Sequence, residues 1–326
     1  MVDATGGDTL LELAGVTRRY AVREGFFSGR SRVVTAVAGV DLVVRPGETL
    51  GLVGESGCGK STLARLAVGL EPPSSGTVRV AGLDPWAGDA AARRKLPRLV
   101  QMIFQDPFAS LNPRLPVGWT VAEGLRAMGV GSARERKARV LELLALVGLS
   151  PEHAGLFPHQ FSGGQRQRVA VARGLALSPR LIVCDEPVSA LDVSVQAQVI
   201  NLLADLRERL GLAYLFISHD LAVVGHVSDR VAVMYLGRIV ETAPARALYD
   251  EPVHPYTRAL LAAAPVVDVS RRRPAGLAGE TPDPAAPPGG CAFHPRCDKA
   301  GPECAEAVPP LVEVAPGHFA RCARLA

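Results

Sequence analysis

Three short segments, in a fixed order along the chain, constrain the fold more than any bulk property. Gly54–Ser61 fits the phosphate-loop pattern G-x-x-x-x-G-K-[ST], in which glycines let the backbone wrap around a phosphate chain. Phe161–Gln165 has the sequence FSGGQ, and Leu181–Glu186 is an apolar run that ends in two carboxylates. Because a phosphate loop connects a strand to a helix, we expect an α/β nucleotide-binding core.

Strand and helix signals alternate along most of the chain, which favours an α/β fold. We expect a helical subdomain over about residues 106–178 and a turn at Ser74–Gly76. The basic loop Arg23–Arg30 is predicted either as a surface hairpin tip or as a contact with a partner. The predicted strands are Leu11–Tyr20, Val33–Val44, Thr49–Val53, Leu99–Phe104, Leu181–Cys184, Tyr214–Ser218, Val231–Tyr235 and Arg238–Glu241. The predicted helices are Leu63–Leu70, Arg134–Val147, Val169–Ala176 and Val195–Leu210.

Bulk properties exclude several classes of protein. Of the 326 residues, 48% are hydrophobic, which is enough for one large domain with an appendage. No apolar run approaches the ~18–20 residues that cross a bilayer, and the polar N-terminus lacks the apolar core of a signal peptide. We therefore expect a soluble, cytosolic chain. The mild net charge of +4 gives no argument for nucleic-acid binding.

The phosphate loop supplies most of the predicted nucleotide contacts. Its successive N–H groups should form a concave nest around the β- and γ-phosphates. Lys60 should place its compact ammonium between those phosphates, the Ser61 hydroxyl should bind Mg²⁺, and Thr62 should meet the α-phosphate. The full predicted set is Gly54, Glu55, Ser56, Gly57, Cys58, Gly59, Lys60, Ser61 and Thr62.

Two adjacent carboxylates follow the apolar run of the third segment. Asp185 is predicted to hold Mg²⁺ through water, as the aspartate of the acidic strand does in phosphate-loop NTPases. Glu186 is predicted to orient and polarise the attacking water; the alternative is a structural residue that caps a helix or pairs with a cation. Cys184, just before them, is interpreted as a small apolar residue of the core.

In this order, the phosphate loop, the SGGQ segment and the acidic strand resemble the ATP-binding cassette (ABC) family over about residues 10–265. The resemblance implies an ABC-type phosphate-loop NTPase core with a β subdomain and an inserted helical signature subdomain. It also implies that two ATPase domains close face to face over ATP, and that hydrolysis of this ATP drives transport.

The resemblance assigns further site residues. Gln105 matches the Q-loop glutamine, which touches Mg²⁺ and the water, and His219 matches the switch histidine at the γ-phosphate. Asp192 matches the D-loop, and Tyr20 lies where the family stacks an aromatic ring on adenine; the alternative for Tyr20 is a core aromatic residue. The expected catalytic residues are Glu186, His219, Gln105 and Lys60. The signature residues expected to face the γ-phosphate held by the other subunit are Ser162, Gly163, Gly164 and Gln165.

Longer matches favour one branch of the family. Gln105–Arg114, Ala190–Gln198 and His254–Leu261 look like the oligopeptide/dipeptide importer ATPases, and Tyr214–Asp220 looks more like the second ATPase subunit of that system. This implies a peripheral protein on the cytoplasmic side of the cell membrane. Its partners would be a second, non-identical ATPase, two transmembrane permeases and an extracytoplasmic solute-binding protein, with no nucleic acid. The alternatives are an importer of nickel or another small solute, and a non-transport regulatory ABC ATPase.

The last part of the chain differs in character, so we expect an ATPase domain over residues 10–250 and a C-terminal extension over 251–326. A Pro/Gly-rich linker, Thr281–Gly290, leads to four of the six cysteines of the chain. Disulfides are rare in cytosolic proteins. Cys291–Cys297 resembles the extension of peptide-importer ATPases, some of which hold a [4Fe–4S] cluster; the alternatives are zinc and unmetallated thiols. The candidate metal ligands are Cys291, Cys297, Cys304 and Cys322.

Overall fold

The structure is a computed structural model that describes residues 9–23, 31–88, 90–106, 110–263 and 279–325. Apart from its first residue, the basic loop predicted over Arg23–Arg30 lies outside these ranges.

Most strands and helices form near the predicted positions, but the helix predicted over Val169–Ala176 begins six residues earlier, at Gly163. Elements without a prediction include one strand of the β subdomain, several short helices and the hairpin of the C-terminal extension. The strands are β1 (Leu11–Arg23), β2 (Ser31–Val44), β3 (Thr49–Val53), β4 (Ser75–Val80), β5 (Val100–Ile103), β6 (Leu181–Asp185), β7 (Ala213–Ile217), β8 (Arg230–Tyr235), β9 (Arg238–Pro244), β10 (Val312–Ala315) and β11 (His318–Ala320). The helices are α1 (Lys60–Ala67), α2 (Ala90–Lys95), α3 (Val117–Val121), α4 (Glu123–Ala127), α5 (Ala133–Leu146), α6 (Gly163–Leu175), α7 (Val193–Leu210), α8 (Leu221–Val227), α9 (Ala245–Asp250), α10 (Pro255–Ala263) and α11 (Glu303–Glu306).

The larger sheet carries the buried parallel strands. Within the described residues its strand order is β10-β11-β9-β8-β3-β7-β6-β5. Strands β5, β6, β7, β3 and β8 run parallel, and all residues of β3, β6 and β7 are buried, as expected for strands covered on both faces. Parallel strands end at one edge of the sheet, so the phosphate loop after β3 lies near the residues that follow β6 and β7.

A separate antiparallel sheet forms the β subdomain. In the part of the chain that the structure describes, its order is β2-β1-β4. Strand β4 begins at Ser75, so the turn predicted at Ser74–Gly76 is wrong. Gly76 has φ 84°, and a Cβ there would stand 2.4 Å from the carbonyl oxygen of Gly15 on β1. This glycine therefore permits close strand contact rather than a turn.

Helices dominate the segment between β5 and β6, as predicted. Helix α5 begins after Ser132, whose side chain forms a capping box with Glu135. The apolar face predicted for Arg134–Val147 is confirmed, because the four residues that define it are all buried. These are Val140, Leu143, Leu144 and Val147.

The C-terminal extension pairs with the larger sheet and packs against two tyrosine rings of the chain. Strand β11 pairs antiparallel with β9, and β10 pairs with β11, so the hairpin covers a sheet edge. The Phe293 ring is buried, with its centroid 5.3 Å from those of Tyr235 and Tyr256. The sequence analysis did not predict these contacts. A segment with few large apolar residues is ordered here by packing on the ATPase core.

Candidate active site

Two glycines shape the phosphate loop by letting backbone approach backbone. Gly54 has φ 155° and Gly59 has φ 111°. A Cβ would stand 2.2 Å from the Met234 carbonyl oxygen at Gly54, and 2.1 Å from the Ala36 carbonyl oxygen at Gly59. Only glycine fits at both positions without displacing main chain.

Lys60 lies inside the loop that precedes it. Its side chain is buried, and its Nζ donates hydrogen bonds to the carbonyl oxygens of Gly54 at 2.7 Å and Glu55 at 2.9 Å. The ammonium is therefore held at the centre of the concave surface that the loop encloses. A buried cation at this point attracts an anion of the size of a phosphate group.

Ser61 and Asp185 meet across the cleft, as a shared magnesium site requires. The Ser61 hydroxyl donates to Oδ1 of Asp185 at 3.1 Å. Burial raises the pKa of Asp185, the Ser61 hydrogen bond lowers it, and the charge of Glu186 raises it further. A buried carboxylate whose charge is disfavoured is stabilised by a divalent cation, so Ser61 as a direct ligand and Asp185 through water fit Mg²⁺.

The Glu186 carboxylate contacts Gln105 and His219, the two side chains that the family resemblance assigned to the site. Its carboxylate oxygen Oε2 accepts a hydrogen bond from Nε2 of Gln105 at 3.0 Å and lies 3.2 Å from Nδ1 of His219. Glu186 has φ 48°, and its N–H donates to the Ile217 carbonyl oxygen at 2.9 Å. This bond links the ends of β6 and β7, and Glu186 lines the same cleft as the phosphate loop. The cleft is lined by Ala36, Ser56, Gly57, Gly59, Lys60, Ser61, Thr62, Gln105, Glu186 and His219.

The signature residues lie at the start of α6 and outside this lining. Ser162 is exposed, and its hydroxyl accepts the Gln165 N–H at 3.3 Å, while Gln165 Oε1 accepts the Ser162 N–H at 3.0 Å. A Cβ on Gly164 would stand 2.4 Å from Cγ1 of Val195 on α7, so glycine lets the two helices approach closely. Asp192 immediately precedes α7.

Tyr20 lies on β1 and contacts two charged residues. Its hydroxyl donates to the Glu71 carboxylate, and the Arg18 guanidinium lies 4.7 Å from its ring centroid. Of the described residues, those that line the cleft do not include Tyr20. Its predicted contact with adenine stays a prediction.

The four cysteines of the extension lie near enough to influence one another electrostatically, although the first and the last are 31 positions apart in the sequence. Burial raises the pKa of Cys291, the N–H of Phe293 lowers it by hydrogen bonding, and the neighbouring thiols of the other three cysteines raise it. Those three are Cys322, Cys304 and Cys297. All four thiols are free of disulfides.

Backbone N–H groups also point at these sulfurs. Phe293 donates to Cys291, Lys299 donates to Cys297, and the N–H of Arg324 donates to Cys322 Sγ at 3.4 Å. Such N–H groups stabilise thiolates. Among the described side chains, no three histidine, cysteine or carboxylate groups are close enough to share a single metal ion. The iron–sulfur cluster, zinc and unmetallated thiols therefore all stay predictions.

Two site residues escaped the sequence analysis because their partners are distant in the chain. The Glu55 N–H donates to the Tyr256 hydroxyl at 2.9 Å, and the Glu55 carboxylate is bound by Arg296. Tyr256 belongs to His254–Leu261, a segment noted only as a family match, and Arg296 lies between two of the cysteines. Glu55 was predicted as a nucleotide contact; in the structure its side chain and its N–H are engaged by the protein.

Comparison with known proteins agrees with this geometry. The ABC transporter family profile matches residues 37–189, and the profile of the oligopeptide/dipeptide transporter C-terminal region matches residues 240–304. The oligopeptide transport ATP-binding protein AppF of Bacillus subtilis is 50% identical over 98% of this chain and 98% of its own length. The chain belongs to the ATP-binding subunits of the oligopeptide/dipeptide ABC transporters. It is therefore an ABC-type ATPase.

Other members of this family and one solved structure show the same relationship. The di/tripeptide transport ATP-binding protein DppF of Pseudomonas aeruginosa is 50% identical over 93% of this chain and 94% of its own length. The dimeric ATP-binding cassette MJ0796, in a post-hydrolysis state bound to ADP and Pi, superposes with a TM-score of 0.64 at 30% identity. That match covers 73% of this chain and 99% of the other, which confirms the predicted ABC fold.

Over the ranges that the structure describes, no helix combines the length and the apolarity needed to cross a bilayer.

Proposed function

We propose that this chain is the motor subunit of an importer of oligopeptides or dipeptides, in which it binds and hydrolyses Mg-ATP. The observation that carries the proposal is the convergence of Gln105 and His219 on Glu186, beside a phosphate loop with a buried lysine. The assignment to peptides rests on the family membership and on the relatives described above.

Different residues of the chain bind the phosphates, the magnesium ion and the adenine ring. Lys60 contacts the β- and γ-phosphates once its hydrogen bonds to loop carbonyls are exchanged for phosphate oxygens. The Ser61 hydroxyl would bind Mg²⁺ directly, and Asp185 would hold the ion through water. The N–H groups at the start of α1 and the Thr62 hydroxyl contact the remaining phosphate oxygens. Tyr20 stacks on the adenine ring.

Glu186 performs the chemical step as the group that activates water. A carboxylate next to the γ-phosphate accepts a proton from the attacking water and orients the water in line with the bond that breaks. Gln105 and His219, which contact the same carboxylate in the structure, hold Glu186 in place and contact Mg²⁺ and the γ-phosphate respectively when ATP is bound.

The signature serves a neighbouring chain. Ser162, Gly163, Gly164 and Gln165 are exposed or half-buried at a helix N-terminus, where they can donate to the γ-phosphate of ATP held by a second, non-identical ATPase. Asp192 lies at the same dimer face. The assembly comprises these two ATPases beneath two membrane permeases, with an external solute-binding protein, and the chain is held at the cytoplasmic side of the cell membrane by the permeases.

Reconstitution in proteoliposomes tests this proposal. With the second ATPase, both permeases and the binding protein present, we expect ATP hydrolysis and uptake to be stimulated by labelled di- and oligopeptides. Uptake should be lost in Glu186→Gln. Stimulation by Ni²⁺ but not by peptides would favour a nickel importer, and hydrolysis independent of the permeases would favour a regulatory ATPase.

We also propose that Cys291, Cys297, Cys304 and Cys322 hold a [4Fe–4S] cluster. When bound, the cluster supplies folding energy to a segment that is too small to form its own core. Support comes from the four neighbouring thiols and from the backbone N–H groups that donate to three of them.

Anaerobic purification of the full chain tests this second proposal. The protein should be brown and contain about four irons and four acid-labile sulfides per chain. Cys304→Ser should lose most of the iron, whereas Cys184→Ala, which changes a cysteine of the core, should keep it. Colourless protein with stoichiometric zinc would reject the cluster, and protein without metal would reject the site.

A further inference from the structure

The C-terminal extension reaches the second residue of the phosphate loop through one arginine. Nη1 and Nη2 of Arg296 donate to the two carboxylate oxygens of Glu55 at 2.7 Å and 3.0 Å. The side chain of Arg296 is 4% exposed and that of Glu55 is 21% exposed. A bidentate pair that is largely withheld from water is weakly screened and has a fixed geometry.

Other residues of the extension and core complete this contact. The Thr281 hydroxyl donates to Glu55 Oε2 at 3.3 Å, and Nη1 of Arg296 also donates to the Tyr235 hydroxyl at 3.3 Å. An arginine guanidinium is always charged in a protein. Tyr256 fixes the Glu55 N–H. Both the backbone and the side chain of Glu55 are therefore held.

Glu55 places a negative charge next to the proposed triphosphate site. It directly precedes Ser56 and Gly57, which line the cleft, and a triphosphate bound there carries several negative charges. Without a cation beside it, the Glu55 carboxylate would repel that triphosphate. Arg296 cancels this charge, and its planar fork sets the direction of the side chain and hence of the loop.

We propose that Arg296 is a positioning residue for ATP, which holds the phosphate loop through Glu55 and sets ATP affinity from the C-terminal extension. This inference rests on the proposed role of the cleft as the ATP site. Arg296 and Phe293 lie between Cys291 and Cys297, so the segment that contributes two of the grouped thiols is also the segment that holds the loop.

The test is a double-mutant cycle on ATP affinity, measured with the full-length chain at fixed Mg²⁺. Arg296→Gln should raise the Kd for ATP about tenfold or more, because it leaves a partly buried carboxylate unpaired. Arg296→Lys, which keeps the charge but loses the fork, should lie between wild type and Arg296→Gln. The double variant Glu55→Gln/Arg296→Gln removes both charges and should bring the Kd for ATP back to within about threefold of wild type. Such a recovery would show that Glu55 and Arg296 are energetically coupled.

Two controls separate the possible results. Asp283→Asn removes another contact between the extension and the core, the 2.7 Å pair with Arg32. It keeps the Oδ1 acceptor for the Ala285 N–H, and it should leave the Kd unchanged. Lys60→Ala reports whether binding occurs at the cleft. Equal ATP affinity in wild type and Lys60→Ala would overturn the proposed ATP site itself.

If wild type binds at the cleft but Arg296→Gln binds equally well, the positioning role is wrong. The same holds if the double variant shows no coupling. A lower nucleotide-free Tm with an unchanged Kd would also overturn the proposal, because it would reduce Arg296 to a structural contact.

Discussion

Two helix N-termini of this chain are suited to bind anions, and they differ in what surrounds them. Helix α1 begins after Gly59, which has no side chain to occupy the first N–H groups, and Lys60 and Ser61 lie beside those groups in the cleft. Helix α6 begins after Ser162, whose side chain closes a reciprocal capping box with Gln165. The start of α6 is exposed, and it does not line the cleft of its own chain.

The difference indicates how binding and turnover are divided. The cleft at α1 contains the buried ammonium of Lys60 and the residues proposed to hold Mg²⁺ and to activate water, so we expect a single chain to bind ATP. The start of α6 carries N–H groups and a hydroxyl that are exposed or half-buried, and we propose that they act on a nucleotide held by another subunit. Changes in the cleft should therefore act on the isolated chain, whereas changes at α6 should act only in the assembled transporter.

The largest effect is expected from Glu186→Gln, which tests the chemical part of the cleft. Loss of the carboxylate should lower ATP turnover about a hundredfold or more, while ATP binding is retained because the phosphate loop is intact. ATP-dependent dimers with the partner ATPase should accumulate on a sizing column. Normal phosphate release by this variant would show that Glu186 has only a structural role.

Lys60→Ala tests the binding part of the cleft. Removing the charged contact to the phosphates should weaken ATP affinity of the isolated chain by about ten- to a hundredfold. Lys60→Arg should also bind poorly, since a planar guanidinium does not fit the loop that encloses the ammonium. Isothermal titration measures both. Wild-type peptide uptake with either variant would separate this cleft from the motor function.

Ser162→Arg tests the exposed side of the comparison. The bulky cation should obstruct the anion site at α6 and lower hydrolysis by the assembled transporter about tenfold or more. Nucleotide affinity of the isolated chain should stay near wild type. If the isolated chain loses affinity as much as Lys60→Ala does, the signature acts on its own cleft and the comparison fails.

The smallest effect is expected from substitutions of two signature glycines, which test how closely α6 packs against neighbouring side chains. Gly164→Ala places a Cβ 2.4 Å from Cγ1 of Val195, a stiff branched side chain, and should reduce the free energy of unfolding by about 1–3 kcal/mol. Gly163→Ala, whose Cβ would stand 3.2 Å from Cδ2 of Leu191, is the matched control with a smaller loss. Denaturant titrations of both variants measure this difference, and equal losses would contradict the packing argument.

Sequence patterns predicted those parts of the site that are formed by contiguous residues. Gly54–Ser61 and the pair Asp185–Glu186 are contiguous, so their patterns alone indicate a phosphate loop and an acidic strand end. Gln105 and His219 were assigned through family resemblance, and only the parallel order of β5, β6 and β7 explains why both meet Glu186.

The turn predicted at Ser74–Gly76 shows where local patterns mislead. Glycine often indicates a turn because its backbone is conformationally free. At Gly76 the missing side chain instead allows β4 to approach β1 closely. The position of a neighbouring strand is not encoded within three residues.

By itself, the sequence determined the positions of the residues proposed to bind phosphate, hold Mg²⁺ and activate water, because their motifs depend on short-range backbone geometry and side-chain chemistry. The tertiary structure decided that the carboxylate of Glu55 belongs to Arg296, 241 residues away, and that β10 and β11 extend the main sheet. It also placed four dispersed cysteines within electrostatic reach of one another. Contacts between distant segments depend on how whole elements pack, and packing is a property of the complete fold rather than of any local pattern.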